Sequence, residues 1–154
     1  MSDVDAKLAA LGLTLPDASV PVANYVPFVI TGNQVFISGQ TSRAPGGGLI
    51  TGKLGAELDV AQGAAAAQSC ALAILAQVKA SVGGDWNRVV RAVKLVGFVN
   101  STTDFTDQPK VLNGASDLLV AVLGEAGRHA RSAVSANSLP MGIAIEIEAI
   151  FEIR

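Results

Sequence analysis

A chain of 154 residues, of which 50% are hydrophobic and 16% charged, suits one compact domain, and its mean hydropathy of +0.45 points to surface hidden in an oligomer. The net charge of −2, with 11 Lys and Arg against 13 Asp and Glu and no basic cluster, argues against nucleic acid, whose backbone is bound through clustered cations. One Cys and one His exclude an intrachain disulfide and a Cys/His structural zinc site, so a metal would need carboxylates alone.

The start, Met1-Ser2-Asp3-Val4-Asp5, is acidic and lacks a basic then apolar leader. No apolar run nears the roughly 20 residues of a membrane span, which predicts a cytoplasmic protein without membrane contact. Val4, Leu8 and Leu11 share a helical stripe between a cap at Ser2 or Asp3 and a stop at Gly12, predicting a short leading helix. A loop with Pro16 and Pro21 follows. Tyr25–Thr31 and Gln34–Ser38 are β-rich runs around Gly32-Asn33, a hairpin signal. Gly39 to Gly55, with Pro45-Gly46-Gly47-Gly48, reads as a long loop.

Asp59 to Val82 is an Ala-rich amphipathic run closed by Gly83-Gly84, the main predicted helix, thin enough to sit close against a sheet. A capped turn at Asp85–Val90 feeds a strand from Ala92 to Asn100. A second helix is predicted over Phe105–Gly124, with Pro109 in its tolerant first turn. Ala130–Ala136 reads as a short strand, and Ile143–Ile153 as a strand by strict alternation, with Glu146, Glu148 and Glu152 on its polar face. The order is α-ββ-α-β-α-ββ, an α+β sheet with two helices on one face. Its other face is left bare, which predicts a closed homo-oligomer.

The catalytic vocabulary is small. Gly46-Gly47-Gly48 lacks the context of a phosphate loop, Cys70 lies in the Ala stripe as an inert thiol, and His129, a lone histidine without an acidic neighbour, reads as structural or solvated. Arg131 stands among small residues in Ala130-Arg131-Ser132-Ala133-Val134. Its planar fork suits bidentate capture of a carboxylate, and its competing role is an ion pair with Glu146 or Glu148. Tyr25 is the only tyrosine; alone it reads as packing. Asn113 has poor helix propensity in a helical stripe, so it bonds locally or faces a pocket.

Ala130-Arg131-Ser132-Ala133-Val134, then Leu139-Pro140, then Ile145-Glu146-Ile147-Glu148-Ala149-Ile150 resembles the C-terminal signature of the YjgF/Rid family of reactive-intermediate imine deaminases, also called L-PSP endoribonucleases. Phe36-Ile37-Ser38-Gly39-Gln40 is similar to the family's second strand, Val93–Phe105 to a later strand, and Asn113 falls where a helix carries an Asn. The resemblance runs from Val22 to Arg154, giving one domain over 1–154 with 1–21 as an N-terminal extension. It implies a chorismate-mutase-like α+β fold and a homotrimer whose three intersubunit clefts take small carboxylates or imino acids, with no cofactor and no metal. Arg131 would grip the substrate carboxylate, Tyr25 and Asn113 would line the cleft, and Glu146 would serve the attacking water as the catalytic residue. The wall differs from the family pattern at Ala23-Asn24-Tyr25-Val26-Pro27-Phe28, which keeps the Tyr and loses a Gln, as in a divergent subgroup.

The reaction implied is hydrolysis of 2-imino acids or their enamine tautomers to 2-keto acids and ammonia. The competing function is a non-catalytic trimer binding small carboxylate metabolites, which needs Arg131 but not Glu146. RNA cleavage fits poorly with the charge, and a pericyclic reaction would rest on fold analogy alone.

Overall fold

The computed structural model of the chain describes residues 3–20 and 23–154; Ser2, Pro21 and Val22 lie outside the described residues. Three α-helices, α1 (Val4–Ala10), α2 (Val60–Ser81) and α3 (Gln108–Leu123), accompany five strands, β1 (Phe28–Thr31), β2 (Gln34–Thr41), β3 (Val89–Asn100), β4 (Ala130–Ala136) and β5 (Ile145–Ile153). The strands form one sheet in the order β1-β2-β5-β3-β4. Every pairing is antiparallel except β3 with β4, because α3 carries the chain back across the sheet between them. The fold is α+β, as the element order predicts.

Local chemistry explains the boundaries. Gly32, at φ 57°, takes the left-handed turn position of the two-residue β1–β2 hairpin. The β1 run begins at Phe28 rather than Tyr25: Pro27 donates no N–H, and its carbonyl accepts Ser38 N–H at 3.0 Å. β2 runs on to Thr41, so the expected loop starts later than Gly39. The reason is β5, which pairs Gln40 with Ile147 and Thr41 with Glu146 after a register shift. Asp59 caps α2 in a reciprocal capping box with Gln62, satisfying two otherwise orphaned N–H groups. α3 begins at Gln108 rather than Phe105, with Pro109 in its first turn.

α2 and α3 pack together and cover one face of the sheet. Val35, Ile37, Leu95, Val99, Ile145, Ile147 and Phe151 from the strands meet Ala67, Ala71, Ile74, Leu112, Leu119 and Val122 from the helices, all buried. The Ala-rich profile of α2 permits a close approach: at Gly114 of α3 an ideal Cβ would stand 2.0 Å from the Ala64 carbonyl oxygen. The helical layer is not limited to two elements. α1 buries Val4 and Leu8 against α3, and Lys79 of α2 pairs with Asp5 at 3.0 Å.

The opposite face of the sheet is uncovered and apolar. Val29, Phe36 and Val134 are exposed there, with Val96, Phe98 and Ile150 partly so. Among the described residues no helix is long and apolar enough to cross a membrane.

Candidate functional site

β4 is an edge strand, and its register decides what Arg131 can reach. Arg131 lies opposite Leu95, whose side chain is buried under the helices, so Arg131 projects to the helical side. There its Nη1 donates to Asn113 Oδ1 at 3.0 Å and to Ser116 Oγ at 3.1 Å. Asn113 and Ser116 are three residues apart on α3 and so share a face. Asn113 therefore bonds to the Arg131 side chain in place of capping its own helix. No ion pair is made by Arg131 among the described residues, so the guanidinium keeps an uncompensated charge and unused donors.

Glu146 is elsewhere. It pairs with Phe98, an odd number of residues along β3 from Leu95, so it projects from the open face. It is also two strands from β4, about 10 Å at ordinary strand spacing. The intrachain pairing of Arg131 with Glu146 is therefore not formed, and Glu148, opposite Val96, shares the open face and the same separation. The Glu146 carboxylate lies across β2 at Gly39, where an ideal Cβ would be 2.0 Å from Oε1; the missing side chain makes its berth. Partial burial, and then the negative charge of Glu148, push its carboxyl pKa above the ordinary 4.5.

Tyr25 is exposed (58%) in the segment leading to β1. That segment is tied to β2 by Ser38, whose Oγ donates to the Val26 carbonyl at 2.7 Å. Tyr25 and Glu146 thus belong to the β1–β2–β5 side of the sheet, and Arg131 and Asn113 to the β4–α3 side. One copy of the chain brings Arg131 and Asn113 together and leaves Glu146 and Tyr25 apart from them.

His129 and Ser116 complete the β4–α3 cluster, since Ser116 Oγ is 3.0 Å from His129 Nε2. Sequence reasoning set His129 aside and passed over Ser116. The signal was present in the spacing: His129 precedes Arg131 by two residues on an extended segment, and Ser116 follows Asn113 by three on a helix. Cys70 is buried and hydrogen-bonds weakly to the Ile145 carbonyl, 3.6 Å away; burial pushes its thiol pKa far up, leaving it unreactive.

A family model described as "YjgF/chorismate mutase-like, putative endoribonuclease" matches residues 5–151. The chain belongs to the YjgF family. It is 50% identical to Protein TCP17 of Trypanosoma cruzi, over 98% of this chain and 94% of that protein. It overlays on the crystal structure of protein Atu1372 from Agrobacterium tumefaciens with a TM-score of 0.91 and 48% identity, covering 98% of this chain and 94% of the other. A "putative endoribonuclease" from Shewanella oneidensis gives 0.92 at 35% identity, covering 97% and 99%. The YjgF gene product of E. coli gives 0.62 at 32% identity, covering 90% and 94%. This YjgF chain thus overlays more tightly on the first two.

Proposed function

We propose that the chain hydrolyses 2-imino acids, or their enamine tautomers, to 2-keto acids and ammonia in a cleft between copies of itself. The observation that carries the reading is Arg131: a guanidinium held by neutral acceptors, without a carboxylate of its own, is prepared for one from a ligand. The intersubunit placement is supported by the two groups of candidate residues, on opposite faces of the sheet, together with an uncovered apolar face suited to a second copy. A homotrimer closes such a ring with three equivalent clefts.

In this mechanism the substrate carboxylate sits on Arg131, with Asn113 fixing the guanidinium and Tyr25 lining the cleft. Water adds to the electrophilic imine carbon while Glu146 of a neighbouring copy takes its proton. Glu146 gives that proton to the imine nitrogen, completing the carbinolamine, and then carries the hydroxyl proton to the same nitrogen as the C–N bond breaks, the C=O bond forms and ammonia leaves. A carboxylate with a raised pKa is a better base near neutral pH than an ordinary one, and such assistance contributes about 10²- to 10⁴-fold. The reaction needs no cofactor, since the imine is already electrophilic. An RNA-cleaving role has no support in the net charge of −2.

The test generates 2-iminobutanoate or 2-aminoacrylate in situ with a dehydratase and follows semicarbazide trapping. Accelerated loss of the imine that disappears in both Arg131→Ala and Glu146→Gln supports deamination. Absence of acceleration, with 2-oxobutanoate binding that needs Arg131 and not Glu146, replaces it with a carboxylate-binding module.

A further inference from the structure

The chain's single histidine has a readable protonation state. His129 Nδ1 lies 2.6 Å from the Gly127 carbonyl oxygen, which can only accept, so Nδ1 carries the hydrogen. Nε2 is then a bare acceptor, and Ser116 Oγ, 3.0 Å away, donates its hydrogen there. The hydroxyl oxygen in turn offers its lone pairs to Arg131 Nη1 at 3.1 Å. The second hydrogen of the same Nη1 goes to Asn113 Oδ1 at 3.0 Å. Both hydrogens of Nη1 are thus committed, while Nε and Nη2 make no hydrogen bond among the described residues.

We infer that His129 is a positioning residue which, through Ser116, pins Arg131 by Nη1 and keeps its Nε–Nη2 edge free for two parallel bonds to a ligand carboxylate. The inference rests on the reading of Arg131 as the carboxylate holder and adds how that grip is set. Ser116 and His129 also have the spacing of a nucleophile and its base. Here, however, the Oγ lone pairs face the guanidinium, which makes the hydroxyl a strut.

The relay requires a neutral imidazole. Protonation would put a second N–H on the Ser116 oxygen, displace the hydroxyl hydrogen and set a cation beside Arg131. Burial and the charge of Arg131 oppose it, holding the His129 pKa below the ordinary 6.5. The bond to the Gly127 carbonyl works the other way but is outweighed; Arg91, Arg128 and Glu152 line the same cleft as His129.

Because there is one histidine, ¹⁵N NMR of the intact protein reads it without assignment. The relay predicts the Nδ1–H tautomer at pH 7.5, an Nε2 resonance that moves in Ser116→Ala, and a His129 pKa that rises in Arg131→Leu. In the imine assay, Ser116→Ala and His129→Phe should each raise KM about tenfold, the loss falling on KM rather than kcat, as for a weakened charge-assisted bond. The double variant should be no worse than either single one, and His129→Gln, which restores an acceptor to Ser116, should recover most of the affinity. An Nε2–H tautomer, a titration indifferent to Arg131→Leu, or single effects that simply add would overturn the relay. If wild type turns over no imine, the deaminase reading fails, while the NMR measurements still decide the relay.

Discussion

Arg131 shows what one side chain inherits from its position. A lysine there would keep the charge but could not give one amino group to α3 and a two-donor edge to a ligand. Arg131→Lys should therefore raise KM at least tenfold, measured by imine hydrolysis. For Glu146 the proposed mechanism relies on a different property, its raised pKa. The basic form is lost as pH falls through that raised value, so the acid limb of kcat/KM should lie above 4.5. The nearby charge of Glu148 contributes to the rise, so Glu148→Gln should move the limb to lower pH. Gly39 gives the carboxylate its berth. Gly39→Ala places a methyl 2.0 Å from Oε1, the mobile end of a side chain, so Glu146 swings away: kcat should fall while the urea midpoint stays within error. Arg131, Asn113, Tyr25 and Glu146 were legible as candidates from composition, propensity and the family signature. Gly39 as a berth was not, because its role depends on a neighbour more than a hundred residues distant.

Among the elements, α2 and α3 illustrate how packing overrides propensity. Replacing a helical glycine by alanine ordinarily stabilises by about 1 kcal/mol. At Gly114 the added methyl would meet the Ala64 carbonyl at 2.0 Å, backbone that cannot turn aside. Gly114→Ala should accordingly destabilise by about 1–3 kcal/mol, seen as a lower urea midpoint with unchanged m-value. The strands were legible where alternation is strict, as in β5, and at β4, where the expected and observed bounds coincide. The end of β2 was not, because Gly39 has little strand propensity and the segment is held by pairing with β5. α1 was foreseen as a helix, but its seat on α3 depends on Val4 and Leu8 finding a groove that exists only after α3 has docked.

At the scale of the whole molecule, the open face carries the argument. Val29, Phe36 and Val134 are exposed there beside three other large apolar side chains, an arrangement a lone copy would leave wet at a cost. Native mass spectrometry should find three times 15.6 kDa, and Phe36→Asp should give a folded monomer without imine hydrolysis. An active monomer would remove the intersubunit cleft from the mechanism. Low charge content and a one-sided helical layer are what made self-association an expectation of the sequence.

The sequence by itself determined the α+β order, the core stripes and the family, because hydrophobic periodicity and turn chemistry are local properties and the C-terminal signature is contiguous. Only the tertiary structure decided which side of the sheet each candidate occupies. That question depends on strand register, and a shift of one residue moves a side chain to the other face. Register put Arg131 beside Asn113, Ser116 and His129, and placed Glu146 on the opposite face.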